Sequence, residues 1–238
     1  MGIGTTARIQ PRGDEVSRII EAGTAACRLY GPSKTNVVDI ARLLGKSPAS
    51  VYRIFPSRAA IWDAIAGNFL ETALRVPALA TVERGDAAIC LEEAALGQHR
   101  LMSEAREGGC QMFNLVILAA EGGWPSFMQY LKGLQADVGK LIRAGVTSEE
   151  FAPCNVDVAA ACFCASVISL WDPRLIGTPS SAHGISAQAL VSFAVAGLRS
   201  HPGCRNDLDE HIGSMKSRFE RCGGASGGHT ASACPPEA

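Results

Sequence analysis

Apolar residues recur along this chain at steps of three and four, and no segment of useful length alternates with a period of two. The clearest register is Phe127, Leu131, Leu134, Val138, Leu141 and Gly145, stepping by 4, 3, 4, 3 and 4, which predicts a helix over residues 125–144 with one core-facing stripe. Val16, Ile19, Ile20, Gly23, Ala26 and Cys27 mark an earlier helical face ending at Tyr30 and Gly31. Ile61, Ile65 and Phe69, with Trp62 beside them, mark another over residues 58–74, opened by Ser57 as cap and ended by Pro77. Gly and Pro signals divide the rest into helices near 86–105, 109–121, 156–171 and 185–200. The spans 158–171 and 187–198 are apolar nearly all round, so they must be covered on several sides. The fold expected is all-α.

The stretch from Asn36 to Arg58, NVVDIARLLGKSPASVYRIFPSR, has the most informative punctuation. Asn36 is a helix cap with Asp39 in the first turn, where negative charge suits the helix dipole. Gly45 follows Leu44 as the residue able to adopt a left-handed conformation, and Ser47-Pro48 reads as N-cap and first residue of a second helix. Two short helices joined by so tight a turn, with Ala41 and Val51 at their crossing and Ile40, Leu44 and Ile54 facing a core, form the pattern of a DNA-binding helix-turn-helix. The second helix presents Ser47, Ala49, Ser50 and Arg53 on one side, small residues first, so its backbone can approach a major groove before Arg53 reaches a base edge or phosphate. Tyr52 and Arg58 suit phosphates. By spacing alone an ordinary helical hairpin remains open.

Residues 35–41 (TNVVDIA), Leu44-Gly45, residues 50–55 (SVYRIF) and Ser57-Arg58 with Ala60 resemble the N-terminal domain of the TetR/AcrR family of transcriptional regulators. The preceding helix matches that domain's first helix. Two positions depart from the family pattern: Ile54 stands where His is common, which puts that phosphate contact in doubt, and Lys46 replaces a usual aliphatic residue. The resemblance implies an N-terminal three-helix DNA-binding domain and a C-terminal helical domain for ligand binding and dimerisation. It assigns DNA contacts to Asn36, Lys46, Ser47, Ala49, Ser50, Tyr52, Arg53 and Arg58, and a relay role to the helix after Ser57. It also implies a homodimer on double-stranded DNA, with the two all-round apolar helices pairing across the two-fold axis. Such a dimer sets its two recognition helices about one DNA turn, roughly 34 Å, apart on a palindromic operator. Repression relieved by a small-molecule effector is the commoner outcome.

The organisation expected is a flexible basic arm (1–14), a helix-turn-helix domain (15–56), a linking helix (57–76), a helical ligand-binding and dimerisation domain (77–200) and a partly disordered extension (201–238). Within that extension Leu208, Ile212, Met215 and Phe219 suggest one more amphipathic helix. Charge supports the division: residues 1–60 hold nine Lys/Arg against four Asp/Glu, a balance of +5, whereas the remaining 13 against 19 give −6. A basic head is what phosphate neutralisation needs, although a solvated basic face gives the same balance. At 238 residues, 47% hydrophobic and 19% charged, the chain can bury a sizeable core. No secretory signal and no spanning apolar run are apparent, so a cytoplasmic protein without membrane association is expected.

Nine cysteines include no C-x-x-C pair, and Cys162 and Cys164 on one helix point about 200° apart, which excludes a shared metal or mutual disulfide. Most read as small buried residues, with Cys204, Cys222 and Cys234 the more reactive. No cofactor or metal is expected. The absence of H-E-x-x-H, G-x-S-x-G or a phosphate-binding glycine loop argues against an enzyme. For the effector, the positions sought are polar groups in apolar runs and large aromatics near bends. Asn114 within MFNLVIL is the first choice, followed by Gln98, His99, Met102, Phe113, Trp124, Phe127 and Trp171. The alternative is a helical interaction protein that has lost specific DNA binding.

Overall fold

The computed structural model describes residues 12–76, 87–177 and 184–200. These are all-helical, in the order α1 (Arg12–Tyr30), α2 (Val37–Leu43), α3 (Pro48–Tyr52), α4 (Arg58–Ala73), α5 (Ala87–Glu107), α6 (Gln111–Glu121), α7 (Pro125–Thr147), α8 (Val156–Trp171) and α9 (Ala187–Ser200). Arg12 to Asp14, expected in the arm, already belong to α1, whose first turn holds Asp14 and Glu15 at the positive end of its dipole. The rest of that arm, the Pro77 break and the extension with its three cysteines lie outside the described residues.

The head forms as its capping residues dictate. Asn36 and Asp39 make a reciprocal capping box: Asn36 Oδ1 accepts from the Asp39 amide at 2.9 Å, and the Asn36 amide donates to Asp39 Oδ2 at 3.2 Å. Gly45 takes φ +62°, a conformation L side chains rarely adopt, and a Cβ there would meet nothing within 4 Å; backbone freedom rather than space requires glycine. Ser47 then caps α3, with Pro48 at its start. Ile40 and Val51 are fully buried, and each such aliphatic contributes about 1.5–3 kcal/mol relative to exposure.

α4 carries the chain out of the head. It packs against α1 on one side and against α6 and α7 on the other, burying Ile61, Trp62, Ile65, Ala66, Phe69 and Leu70. Its Asp63 carboxylate accepts from the Ser126 amide at 3.0 Å and so caps the first turn of α7. The stripe predicted for α7 is buried apart from the partly exposed Leu131, joined by Tyr130 and Ile142. α7 packs on α4, α5 and α8, and α9 lies on α5 and α8. Both α8 and α9 keep exposed faces of small and apolar residues: Ala161, Cys162, Ala165 and Ile168 on one, Phe193, Ala196 and Gly197 on the other. No helix among the described residues is long and apolar enough to cross a membrane.

Candidate nucleic-acid interface and body cavity

Ser47, Ala49, Ser50, Tyr52 and Arg53 come together on or beside α3. Ser47, Ala49, Tyr52 and Arg53 are exposed, while Val51 points into the core between them. Ser47 Oγ accepts from the Ser50 amide at 3.3 Å and lies 3.0 Å from Ser50 Oγ, so the serine pair both holds the helix start and stays at the surface.

The other three expected DNA contacts have structural engagements. The Asn36 side-chain oxygen is committed to its capping box. Lys46 Nζ is paired with Glu15 of α1 at 2.5 Å, each side chain about a third exposed. Arg58 donates to the Thr35 carbonyl at 3.3 Å and lies over the Trp62 ring at 4.8 Å, bridging the connector before α2 to α4. The Trp62 indole in turn donates to the Pro32 carbonyl at 3.4 Å. These contacts bind the head to α4, a role that residue type and spacing did not reveal.

In the body, a cavity with about 50 Å³ open to the centres of water-sized molecules lies among the end of α4 and helices α5, α7 and α8. Ala95, Leu134, Val138, Leu141 and Trp171 give it apolar walls; Gln98, Asp137 and Lys140 supply its polar groups. Gln98 is 1% exposed and fully engaged: Nε2 donates to the Leu74 carbonyl at 2.6 Å and to the Tyr130 hydroxyl at 2.7 Å, while Oε1 accepts from the Val76 amide at 3.3 Å. The Tyr130 hydroxyl itself donates to the Leu74 carbonyl at 2.8 Å. Burial pushes that phenol well above its ordinary range, so it remains a donor. Leu74 is the C-cap of α4, whose end-carbonyls lack partners within their own helix.

A second tie lies alongside. Arg75 pairs with Asp137 at 2.6 Å and with Glu71, and Lys140 pairs with Asp137 at 2.8 Å. Burial raises the Asp137 carboxyl, but the hydrogen bonds from Lys140 and Arg75 and their charges outweigh it, leaving the group below its ordinary value. The Arg75 guanidinium crosses α7 where Gly133 has no side chain; a Cβ there would stand 2.8 Å from its nitrogens. The polar wall of the cavity therefore also secures the end of α4.

Of the effector contacts expected from sequence, Trp171 lines this cavity, and its indole donates to the Ala95 carbonyl at 3.1 Å. Gln98 lines it as well. Asn114 does not: α6 buries Met112, Phe113, Leu115, Val116, Ala119 and Ala120, which turns Asn114 and Leu118 outward. His99 lies outside the lining and sets Nδ1 3.1 Å from the Leu170 carbonyl, joining α5 to α8. Met102, Phe113 and Phe127 are core residues, Trp124 is half-buried at the start of α7, and none of the four borders the cavity. Asp137 and Tyr130 were missed; the signal was the α7 register, which sets Tyr130 and Asp137 directly before the stripe positions Leu131 and Val138. Among the described residues no group of three or more His, Cys, Asp or Glu is placed to hold a metal ion.

A short helix-turn-helix on a basic head, joined by a long helix to a helical body with its own cavity, is the architecture of a helical transcriptional regulator. Residues 87–189 match the family model described as the tetracyclin repressor-like C-terminal domain. That segment is therefore similar to the ligand-side domain of TetR-type transcriptional regulators. The fold of the chain is similar to that of RolR in complex with the ligand resorcinol (TM-score 0.56, 16% identity, covering 87% of this chain and 96% of that one). It is also similar to RolR without ligand (0.53, 15%, 78% and 91%) and to the fatty acid degradation regulator FadR from Bacillus halodurans (0.51, 13%, 82% and 100%). No curated protein sequence matches the chain.

Proposed function

We propose that this protein is a repressor that binds a palindromic operator as a homodimer and leaves it when a small, largely apolar molecule occupies the cavity beside α4. The observation that carries this reading is that Gln98 and Asp137 each face the cavity and each hold the end of the helix leading to the DNA-reading head. A ligand that competes for the Gln98 amide or the Asp137 carboxylate loosens α4 where it joins the body. α4 is also fastened to the head through Trp62 and Arg58, so a change in its tilt moves α3. A coupling of about 1–3 kcal/mol weakens operator binding about 5- to 150-fold.

Dimerisation is supported by the exposed faces of α8 and α9, where Phe193 is 76% exposed beside small residues that allow close helix approach. RolR crystallised with resorcinol gives a precedent in a similar fold for a small aromatic ligand. The test is footprinting at fixed salt on DNA flanking the protein's own gene, with the unaltered chain and with Arg53→Ala and Tyr52→Ala. A two-fold symmetric footprint lost in both variants supports the reading. Failure to protect any sequence specifically supports instead a helical interaction protein that has lost DNA recognition.

A further inference from the structure

Glu15, in the first turn of α1 with Asp14, reaches across to the helix-turn-helix. Its carboxylate accepts from Lys46 Nζ, 31 positions away in the turn between α2 and α3. That bond and the Lys46 charge, with lesser help from the charges of Arg53 and Arg18, hold the carboxyl below its ordinary value. Lys46 directly precedes the Ser47 cap of α3, and Arg53 is the residue at which α3 ends. The carboxylate therefore sits on the cation that immediately precedes the helix expected to enter the groove.

A charge-assisted bond from a lysine ammonium to an anionic oxygen is also what a DNA backbone phosphate accepts. We propose that Lys46 is a phosphate-binding residue whose resting counter-ion is Glu15, and that Glu15 thereby limits the affinity of the head for any duplex. This inference rests on the DNA-binding reading above. On binding, a phosphate oxygen takes the place of the Glu15 carboxylate on Lys46. Glu15 lies at the surface and can rotate away, but it then remains as an unpaired negative charge facing the duplex, or it takes up a cation. Either outcome opposes the release of counterions that drives association, so the wild-type chain gains less from Lys46 than an unopposed lysine would supply.

The experiment uses the full chain and a mixed-sequence duplex of about 25 bp, so no operator need be known. Dissociation constants are measured by fluorescence anisotropy over a series of salt concentrations for the unaltered protein, Glu15→Gln, Lys46→Ala and the double variant. The expected result is that Glu15→Gln binds on the order of tenfold more tightly at low salt and steepens the slope of log K against log salt by about 0.9, the contribution of one phosphate contact. In the Lys46→Ala background the same substitution has a markedly smaller effect on both. Thermal unfolding of each variant separates this from a strut between α1 and the turn. If Glu15→Gln leaves affinity and slope unchanged, or weakens binding in step with a lowered Tm, the inference is overturned while the DNA-binding reading stands. If the unaltered protein shows no salt-dependent duplex binding at all, both fall.

Discussion

Gln98 satisfies three backbone or hydroxyl groups with one buried amide, and its neighbours have few substitutes. Removing the Tyr130 hydroxyl with Tyr130→Phe leaves the Leu74 carbonyl its bond from Gln98, so the expected loss is about 1 kcal/mol. Gln98→Leu strips the Val76 amide of its acceptor and is expected to cost more, about 1–3 kcal/mol, with faster amide exchange at residues 74–76 as its local signature. Denaturant unfolding and hydrogen exchange of the full chain check both. Asp137 gives a pH-dependent counterpart. Its folded value lies below the ordinary 3.8, so its ion pairs stabilise fully above that value, and the contribution is lost as pH falls through the lower folded value. The difference in Tm between wild type and Asp137→Asn should therefore be level from about pH 5 to 7 and shrink below about pH 4. Cys164 illustrates the opposite case: burial pushes its thiol up to about 12, so it stays protonated and inert, whereas Cys162 two residues away is exposed.

At the scale of single helices, caps explain why α2 and α3 hold their shape at seven and five residues. Such helices are far too short to persist by propensity alone. Asn36→Ala removes one half of the capping box and should cost about 0.5–2 kcal/mol, seen as a lower Tm. If Asn36 serves the helix rather than DNA, the salt slope of duplex binding remains unchanged, which anisotropy titrations measure directly. The exposed faces of α8 and α9 set a second prediction. Phe193→Glu places a charge on the face proposed to meet a second copy, and sedimentation velocity should show a monomer where the unaltered chain is a dimer. The all-round apolar character of these two helices was legible in sequence. Which residues stay uncovered was not, because that depends on how α5 and α7 pack against them.

For the whole molecule, the path proposed from cavity to head runs through one helix end, and Gly133 offers a way to disturb it from a position that neither lines the cavity nor lies on α3. A methyl at Gly133 would stand 2.8 Å from the Arg75 guanidinium nitrogens, so that group must shift against Asp137, while the apolar walls of the cavity and α3 are untouched. With a ligand found by thermal-shift screening, Gly133→Ala should still bind that ligand. The ligand-induced fold-change in operator affinity, measured by anisotropy, should shrink toward one.

Sequence by itself determined the helices, the helix-turn-helix and its turn, because those rest on local chemistry: the steps of three and four, the Asn36 and Ser47 caps, the freedom of Gly45. It also placed Ser47, Tyr52 and Arg53 on the exposed side of α3, since a short helix with one buried valine leaves little choice of face. Tertiary structure alone decided which polar groups meet across long separations. Glu15 reaches Lys46, Arg75 reaches Asp137, and Gln98 joins Tyr130 at the end of α4, all through packing angles that no local pattern records. For the same reason Asn114, conspicuous in an apolar run, turned out to mark the outer face of α6. A polar residue interrupts such a run either because it meets a ligand or because it meets water, and only the neighbouring helices distinguish the two.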